Sequence, residues 1–193
     1  MYITQIKLNN SRGAAHALAS PQVMHAIVES CFEGSSRNLW RVDKTSLLIV
    51  SVCPPSNPQA ARQLGGLPVT KDYAPYLAAI ADDRNYCFRL CANAVQSKPQ
   101  AHGQRGKVAV CATSDAQREW MQKKAEKHGF VLDAVEITES NVVQFRRQNA
   151  KVTLQLTTFE GILTVQDHIR LVQAMTEGIG RAKAYGAGLL TVM

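Results

Sequence analysis

The chain has 193 residues, 46% of them hydrophobic and 19% charged, with a formal net charge of +7. This balance excludes a disordered or fibrous chain and fits one substantial core or two small ones. It contains no run of about 18 apolar residues, so no membrane span is expected, and the excess of Lys and Arg favours an acidic partner, nucleic acid before lipid. The opening "MYITQIKLNN" alternates like a strand and lacks the charged-then-apolar layout of a signal peptide, so a cytoplasmic protein is expected. Cys31, Cys53, Cys87, Cys91 and Cys111 form an odd set without a C-x-x-C pair. They are expected to be reduced core residues, with no metal site and no cofactor.

In chain order, residues 2–8 alternate at period two and predict a strand. Residues 20–32 open with Ser20 as a cap and Pro21 at the first helical position, then recur at helical spacing. The stretch 39–52 predicts a hairpin turning at Asp43–Lys44–Thr45–Ser46. A short helix over Pro58–Leu64 and a strand within Val69–Tyr76 complete the first half, and residues 78–85 read as a link. The second half repeats the order. Strands at 86–95 and 106–112 flank a polar loop, and Ser114 with Gln117 makes a capping box for a helix running to Lys127. Gly129 stops that helix. Strands at 130–137 and 152–165, a helix at 167–177 and a closing "GLLTV" follow. Two βαββαβ units in tandem predict an α+β protein of two ferredoxin-like (RRM-like) domains, residues 1–80 and 86–193.

The segment "EGIGRAKAYGAGLLTV" (177–192) sets Arg181 and Lys183 among four glycines. It is neither a Rossmann fingerprint nor a P-loop. The third fingerprint position is Lys183, the loop follows a helix rather than a strand, and no Gly-Lys-Ser/Thr occurs at the required spacing. A loop with several positive-φ positions, here including Gly178 and Gly180, can turn backbone N–H groups toward a sugar-phosphate backbone. The same glycines would equally serve a helix end and close packing. On the helix at 20–32, Val23, Met24, Ile27, Val28 and Cys31 form one stripe. His25 falls about 130° from its centre, on the polar side with Gln22 and Glu29. An imidazole there can relay protons at neutral pH, or be an idle surface histidine.

These pieces in order, "MYITQIKLN", "MHAIVESCF", "LWRVD…LLIVS", "FRLCANAV", "FEGILTVQD" and "GIGRAKAYGAGLLTV", resemble the CasE-type repeat-processing endoribonucleases of type I-E CRISPR systems. The similarity runs nearly end to end. It implies tandem ferredoxin-like folds holding a CRISPR repeat hairpin, and metal-independent cleavage at the 3′ base of the stem to a 2′,3′-cyclic phosphate and a 5′-hydroxyl. It also implies retention of the crRNA and assembly with other Cascade subunits. His25 stands where the family keeps its catalytic histidine. Gln22 replaces the tyrosine that many members carry three residues earlier, and Cys91-Ala92-Asn93-Ala94 replaces the family's R-A-N-P. The candidate RNA contacts are Arg12, Lys98, Arg105, Lys107, Arg146, Arg147, Lys151, Arg181 and Lys183, with Gly178 and Gly180; any one cation alone reads as a solvated surface charge. Trp40, Phe88, Phe145 and Phe159 could stack bases or sit in the core. Lys123, Lys124 and Lys127 read as a solvated helix face. Two other readings stand beside the nuclease. One is a non-catalytic RNA-binding module on the same fold, although the RNP1 pattern is absent. The other is a phosphometabolite enzyme using the glycine loop, for which paired acidic or metal-binding residues are missing.

Overall fold

The structure, a computed structural model, describes residues 1–34, 37–98, 107–148 and 150–193, apart from the side chains of Lys98 and Lys107. The first half contains β1 (Tyr2–Lys7), α1 (Arg12–Ala19), α2 (Pro21–Ser30), β2 (Leu39–Asp43) and β3 (Ser46–Ser51). A 3-10 helix (Pro58–Leu64), β4 (Val69–Asp72) and α3 (Ala74–Ala78) follow. The second half holds β5 (Asn85–Asn93), a ribbon of β6 (Val95–Lys98) and β7 (Lys107–Val110), α4 (Ser114–Lys127) and β8 (Phe130–Arg147). It closes with β9 (Ala150–Val165), α5 (His168–Glu177), a 3-10 turn (Lys183–Tyr185) and β10 (Leu190–Val192). The two four-stranded antiparallel sheets run β2-β3-β1-β4 and β10-β5-β9-β8. Taking each sheet's four strands in chain order, the first and third are central and the second and fourth lie at the edges. That is the ferredoxin-like order, given twice.

Local chemistry accounts for the element ends. Ser20 Oγ accepts from the Val23 N–H at 3.5 Å with Pro21 at the first position of α2, as the sequence predicts. α1 was not predicted. Ser11 caps it, accepting from Ala14 N–H at 3.2 Å; it has only eight residues, and those it buries are the small Ala14 and Ala17. The cap of α4 lies one residue earlier than expected. Thr113 accepts from Ala116 N–H at 3.2 Å, while Gln117 is buried and donates to the Cys111 carbonyl. The strand expected at 106–112 joins β6 in a separate ribbon, not the main sheet. β8 runs ten residues past the predicted end at 137, to Arg147. Register shifts at Leu132/Ala134 and Ile137/Glu139 break its period, and its outer half is mostly exposed, so no apolar alternation marks it.

The first sheet is covered on both faces. Leu47 and Ile49 of β3 pack with Met24, Ile27 and Val28 of α2. Leu48 and Val50 turn the other way and join Leu39, Tyr73, Leu77 and Ile80 in a core shared with Phe88, Leu90, Met121, Phe159, Leu171 and Leu190. A strand buried on both sides reads as an unbroken apolar run, which explains "LLIV". The link between halves is tied down as well. Asp82 Oδ1 accepts from the His168 backbone N–H at 2.7 Å and lies 3.1 Å from His168 Nδ1, and these bonds hold its carboxyl below the usual range. Among the described residues, no helix is long and apolar enough to cross a membrane, and no three His, Cys, Asp or Glu side chains cluster as metal ligands would.

The cysteines are only partly core residues, a correction to the sequence reading. All five are free; Cys31 and Cys111 are buried, Cys91 is half-buried, and Cys53 and Cys87 are exposed. Burial pushes the Cys31 thiol up to about 11, which removes its thiolate at neutral pH. At pH 7.5, peptide mass spectrometry should find Cys53 and Cys87 labelled quickly by a maleimide, and Cys31 and Cys111 labelled only after denaturation. Equal rates for Cys31 and Cys87 would show that α2 does not cover the first core.

Candidate active site

β2 places Arg41 and Asp43 two residues apart, hence on one face. Arg41 is 3% exposed, and all of its donors are used. Its Nε and Nη2 donate to the two oxygens of Asp43, each at 2.8 Å. Nη1 donates to the carbonyls of Arg89 at 2.8 Å and Leu189 at 2.9 Å, and Nη2 reaches Thr191 Oγ1 at 3.0 Å. One side chain of the first sheet thus grips the backbone of β5 and of the segment entering β10. Arg89 extends the network by pairing through Nη1 with Glu160 at 2.5 Å. Its Nε lies 3.0 Å from Asp43 at an angle too poor for a hydrogen bond, so that contact is an ion pair only. Beside this lock runs a cleft of about 340 Å³ between the halves, lined by Trp40, Arg89, Cys91, Thr158 and Tyr185 among others.

His25 stands at the seam between the halves, not on an open helix face. Its side chain is 29% exposed. Nδ1 is enclosed and 3.9 Å from Glu29 Oε1, beyond hydrogen-bond reach, and that oxygen accepts from Asn38 Nδ2 at 3.3 Å. Gln22 Oε1, one turn earlier, is also enclosed without a partner among the described residues. The imidazole meets the ring of Tyr185 edge-on, with centroids 5.9 Å apart and planes at 70°. Tyr185 packs in turn on Phe145 of β8 at 4.7 Å.

The glycine loop brings Tyr185 there. Gly178 ends α5 at φ +79, is buried, and a Cβ on it would lie 2.8 Å from Leu39 Cδ2. Gly186, at φ +81, packs against Trp40, where a Cβ would lie 2.6 Å from Cζ3. Lys183 Nζ donates to the Glu177 carbonyl at the end of α5. Its ammonium is pushed down by burial and then by Arg37. Arg181 is exposed; its backbone bridges Asn93, and it shares a shallow pocket with Trp120, Lys123 and Lys124. Lys124 Nζ sits 5.5 Å from the Trp120 ring centroid and is pushed down by burial, then by Lys127 and Arg181. His128 is pushed down by burial and by Lys124, Lys127 and Lys183. These groups repel one another, and a bound anion would relieve that repulsion.

A family model described as "CRISPR associated protein" matches residues 1–193. The chain belongs to the CRISPR-associated protein family. It is 29% identical over 213 residues to the CRISPR-associated endoribonuclease Cse3 of Thermus thermophilus, covering 100% of this chain and 99% of that one. It is 30% identical over 112 residues to the Cascade subunit CasE of Escherichia coli, covering 54% of this chain and 56% of that one. The structure of Thermus thermophilus Cse3 bound to an RNA representing a pre-cleavage complex superposes at a TM-score of 0.84 with 27% identity, over 100% of this chain and 98% of that one.

In this member of the CRISPR-associated family, the expected site residues separate into groups. His25 and Gln22 lie together on α2, at the seam. Arg146, Arg147 and Lys151 are exposed at the tip of the β8–β9 hairpin, which reaches α2 through its outer half. Arg12 begins α1, at the end remote from Pro21. Lys98 pairs with Lys107 in the β6–β7 ribbon, their side chains outside the described residues, as is all of Arg105. Gly178 is buried and packs closely against Leu39, whereas Gly180 is half-buried over Trp120. Lys183 is occupied at the helix end. Lys124 is not simply solvated but rests on Trp120, and Phe145 packs at a tilt of 59° against Tyr185. Sequence reading missed Tyr185 and Arg41. For Arg41 a signal existed, since a lone Arg between Trp40 and Val42 in a strand must find partners if buried. Arg41→Ala should destabilise the fold by about 3–5 kcal/mol, the usual result of leaving one partner of a buried pair alone. Arg41→Lys should recover little, because an ammonium cannot make the two-pronged contact. Urea denaturation measures both, and a loss below about 1 kcal/mol would mean that water replaces the guanidinium.

Proposed function

We propose that the chain is the repeat-processing endoribonuclease of a type I-E CRISPR system. It cuts precursor RNA at the base of the repeat hairpin, leaves a 2′,3′-cyclic phosphate and a 5′-hydroxyl, and stays on the crRNA as a cytoplasmic Cascade subunit. Residues 1–80 act as the unit carrying the catalytic histidine and residues 86–193 as the unit carrying the glycine-rich loop. The observation that carries this reading is the place of His25, partly exposed at the seam where α2 meets Tyr185 of that loop. The end-to-end match to the endoribonuclease Cse3 supports it.

In the proposed reaction the 2′-oxygen attacks the neighbouring phosphorus and loses its proton, while the bond from phosphorus to the 5′-oxygen breaks and that oxygen gains a proton. No water or redox partner enters the balance. His25 exchanges one of these protons. Because Nδ1 is enclosed against Glu29, Nε2 is the nitrogen that faces the RNA. Gln22 cannot exchange protons at neutral pH, and its enclosed Oε1 reaches the RNA only after the side chain turns. Arg181 and Lys124, which share a pocket over Trp120, contact the RNA backbone. The cations at the β8–β9 tip, those of the β6–β7 ribbon with Arg105, and Arg12 hold the RNA backbone.

Single-turnover cleavage of a repeat hairpin should persist in excess EDTA. His25→Ala should slow it by about 10²–10⁴-fold with little change in a gel-shift dissociation constant. Activity restored only by added magnesium, or wild-type cleavage by His25→Ala, would overturn the reading, and a shifted but uncut band from the wild-type protein would leave the RNA-binding module. The cations can be tested by salt. Arg181→Ala should lower the slope of log K against log salt by about 0.7–0.9. Lys183→Ala should act first on loop stability, as a lower unfolding midpoint. An unchanged slope would remove Arg181 from the contact set.

A further inference from the structure

We infer that Tyr185 is a positioning residue for His25, and that Phe145 sets Tyr185, so that the β8–β9 hairpin orients the imidazole. This rests on the reading of His25 as catalytic. Polar contacts do not fix the imidazole. Among the described residues Nδ1 has no hydrogen bond, and the carboxylate of Glu29 is 3.9 Å away and held by Asn38. The terminal torsion of a histidine is broad on its own. From outside α2 the ring of Tyr185 meets the imidazole, 5.9 Å away and at 70°, a geometry aromatic pairs favour.

Tyr185 is itself well held. Its N–H donates to the Ala182 carbonyl at 2.8 Å, and the next residue, Gly186, is closed against Trp40. On its other side lies Phe145, half-buried in the part of β8 that extends past the sheet and paired with Val152 of β9. The next pair along the hairpin is Arg146 with Lys151, at the tip. Phe145 therefore joins the end of the hairpin that carries the tip cations to Tyr185, and Tyr185 joins that ring to His25. Hairpin, glycine loop and α2 meet at three side chains. RNA gripped by the tip would press on the stack that aims the imidazole.

The test uses the full chain with a repeat hairpin. Tyr185→Ala should reduce the single-turnover rate by about 10–100-fold, the scale of a misplacement of about 1 Å, with the gel-shift dissociation constant within about twofold of wild type. Tyr185→Phe should retain wild-type behaviour, and Phe145→Ala should lower the rate in the same direction. The His25 Hε1 resonance, assigned by its loss in His25→Ala, should shift in Tyr185→Ala and stay in Tyr185→Phe, independently of activity. In a His25→Ala background, Tyr185→Ala should cost nothing further. Wild-type cleavage by Tyr185→Ala, an unmoved His25 resonance, equal damage from Tyr185→Phe, or a further loss without His25 would each overturn the inference. If His25→Ala itself cleaves normally, the catalytic reading falls while the resonance still reports the contact.

Discussion

A guanidinium withdrawn from water must keep its donors occupied, and Arg41 does so across the seam between the two halves. Its partners are one carboxylate on its own strand, two backbone carbonyls and a hydroxyl on the other half. Carbonyls are good targets for this purpose because they move only with their strands. Holding Leu189 fixes the exit of the glycine loop, where the Gly188 N–H also donates to the Cys91 carbonyl. Lys183 fixes the entrance at the end of α5. With both ends pinned, the turn that carries Tyr185 has one place to go, against α2. The orientation of His25 is therefore a remote consequence of one buried charge.

The halves divide the labour without being separable. The imidazole and the unpartnered Gln22 oxygen belong to the first. Arg181, Lys124, Lys127 and the hairpin-tip cations belong to the second. Lys183 and Arg37 come from opposite halves, and burial and mutual repulsion push the Lys183 ammonium down. An anion arriving at these cations would relieve their repulsion, while His25 is set by packing against Tyr185. Such a division suits a chemistry in which positioning supplies much of the acceleration.

The order of the elements was legible because period two and period 3.6 differ and because Ser20–Pro21 and Gly129 punctuate cleanly. α1 escaped because it is about two turns long and buries only alanines. The outer half of β8 escaped because it has no core to face; hydrogen bonding to β9, not burial, keeps it extended. At the site, the side of α2 that carries His25 could be read from Met24, Ile27 and Val28. What covers that side could not, since Tyr185 arrives from the far end of the chain and its neighbours in sequence announce only a loop. The glycines were ambiguous for a physical reason. The same lack of a Cβ serves a phosphate cradle and a tight contact with Leu39 or Trp40, and only the three-dimensional neighbours of Gly178 and Gly186 tell them apart.

The shared core also bears on how the chain is made. During synthesis the first half leaves the ribosome before its partner exists, so Leu39, Val50, Tyr73, Leu77 and Ile80 emerge as an apolar sheet face without a cover. Arg41, destined for the same seam, meets only Asp43 until β5 and β10 arrive. A nascent domain in that condition is sticky and electrically unfinished, and it stays so until the last strand is translated. Synthesis speed and chaperone access thus govern the yield of this protein more than they would for two domains with cores of their own.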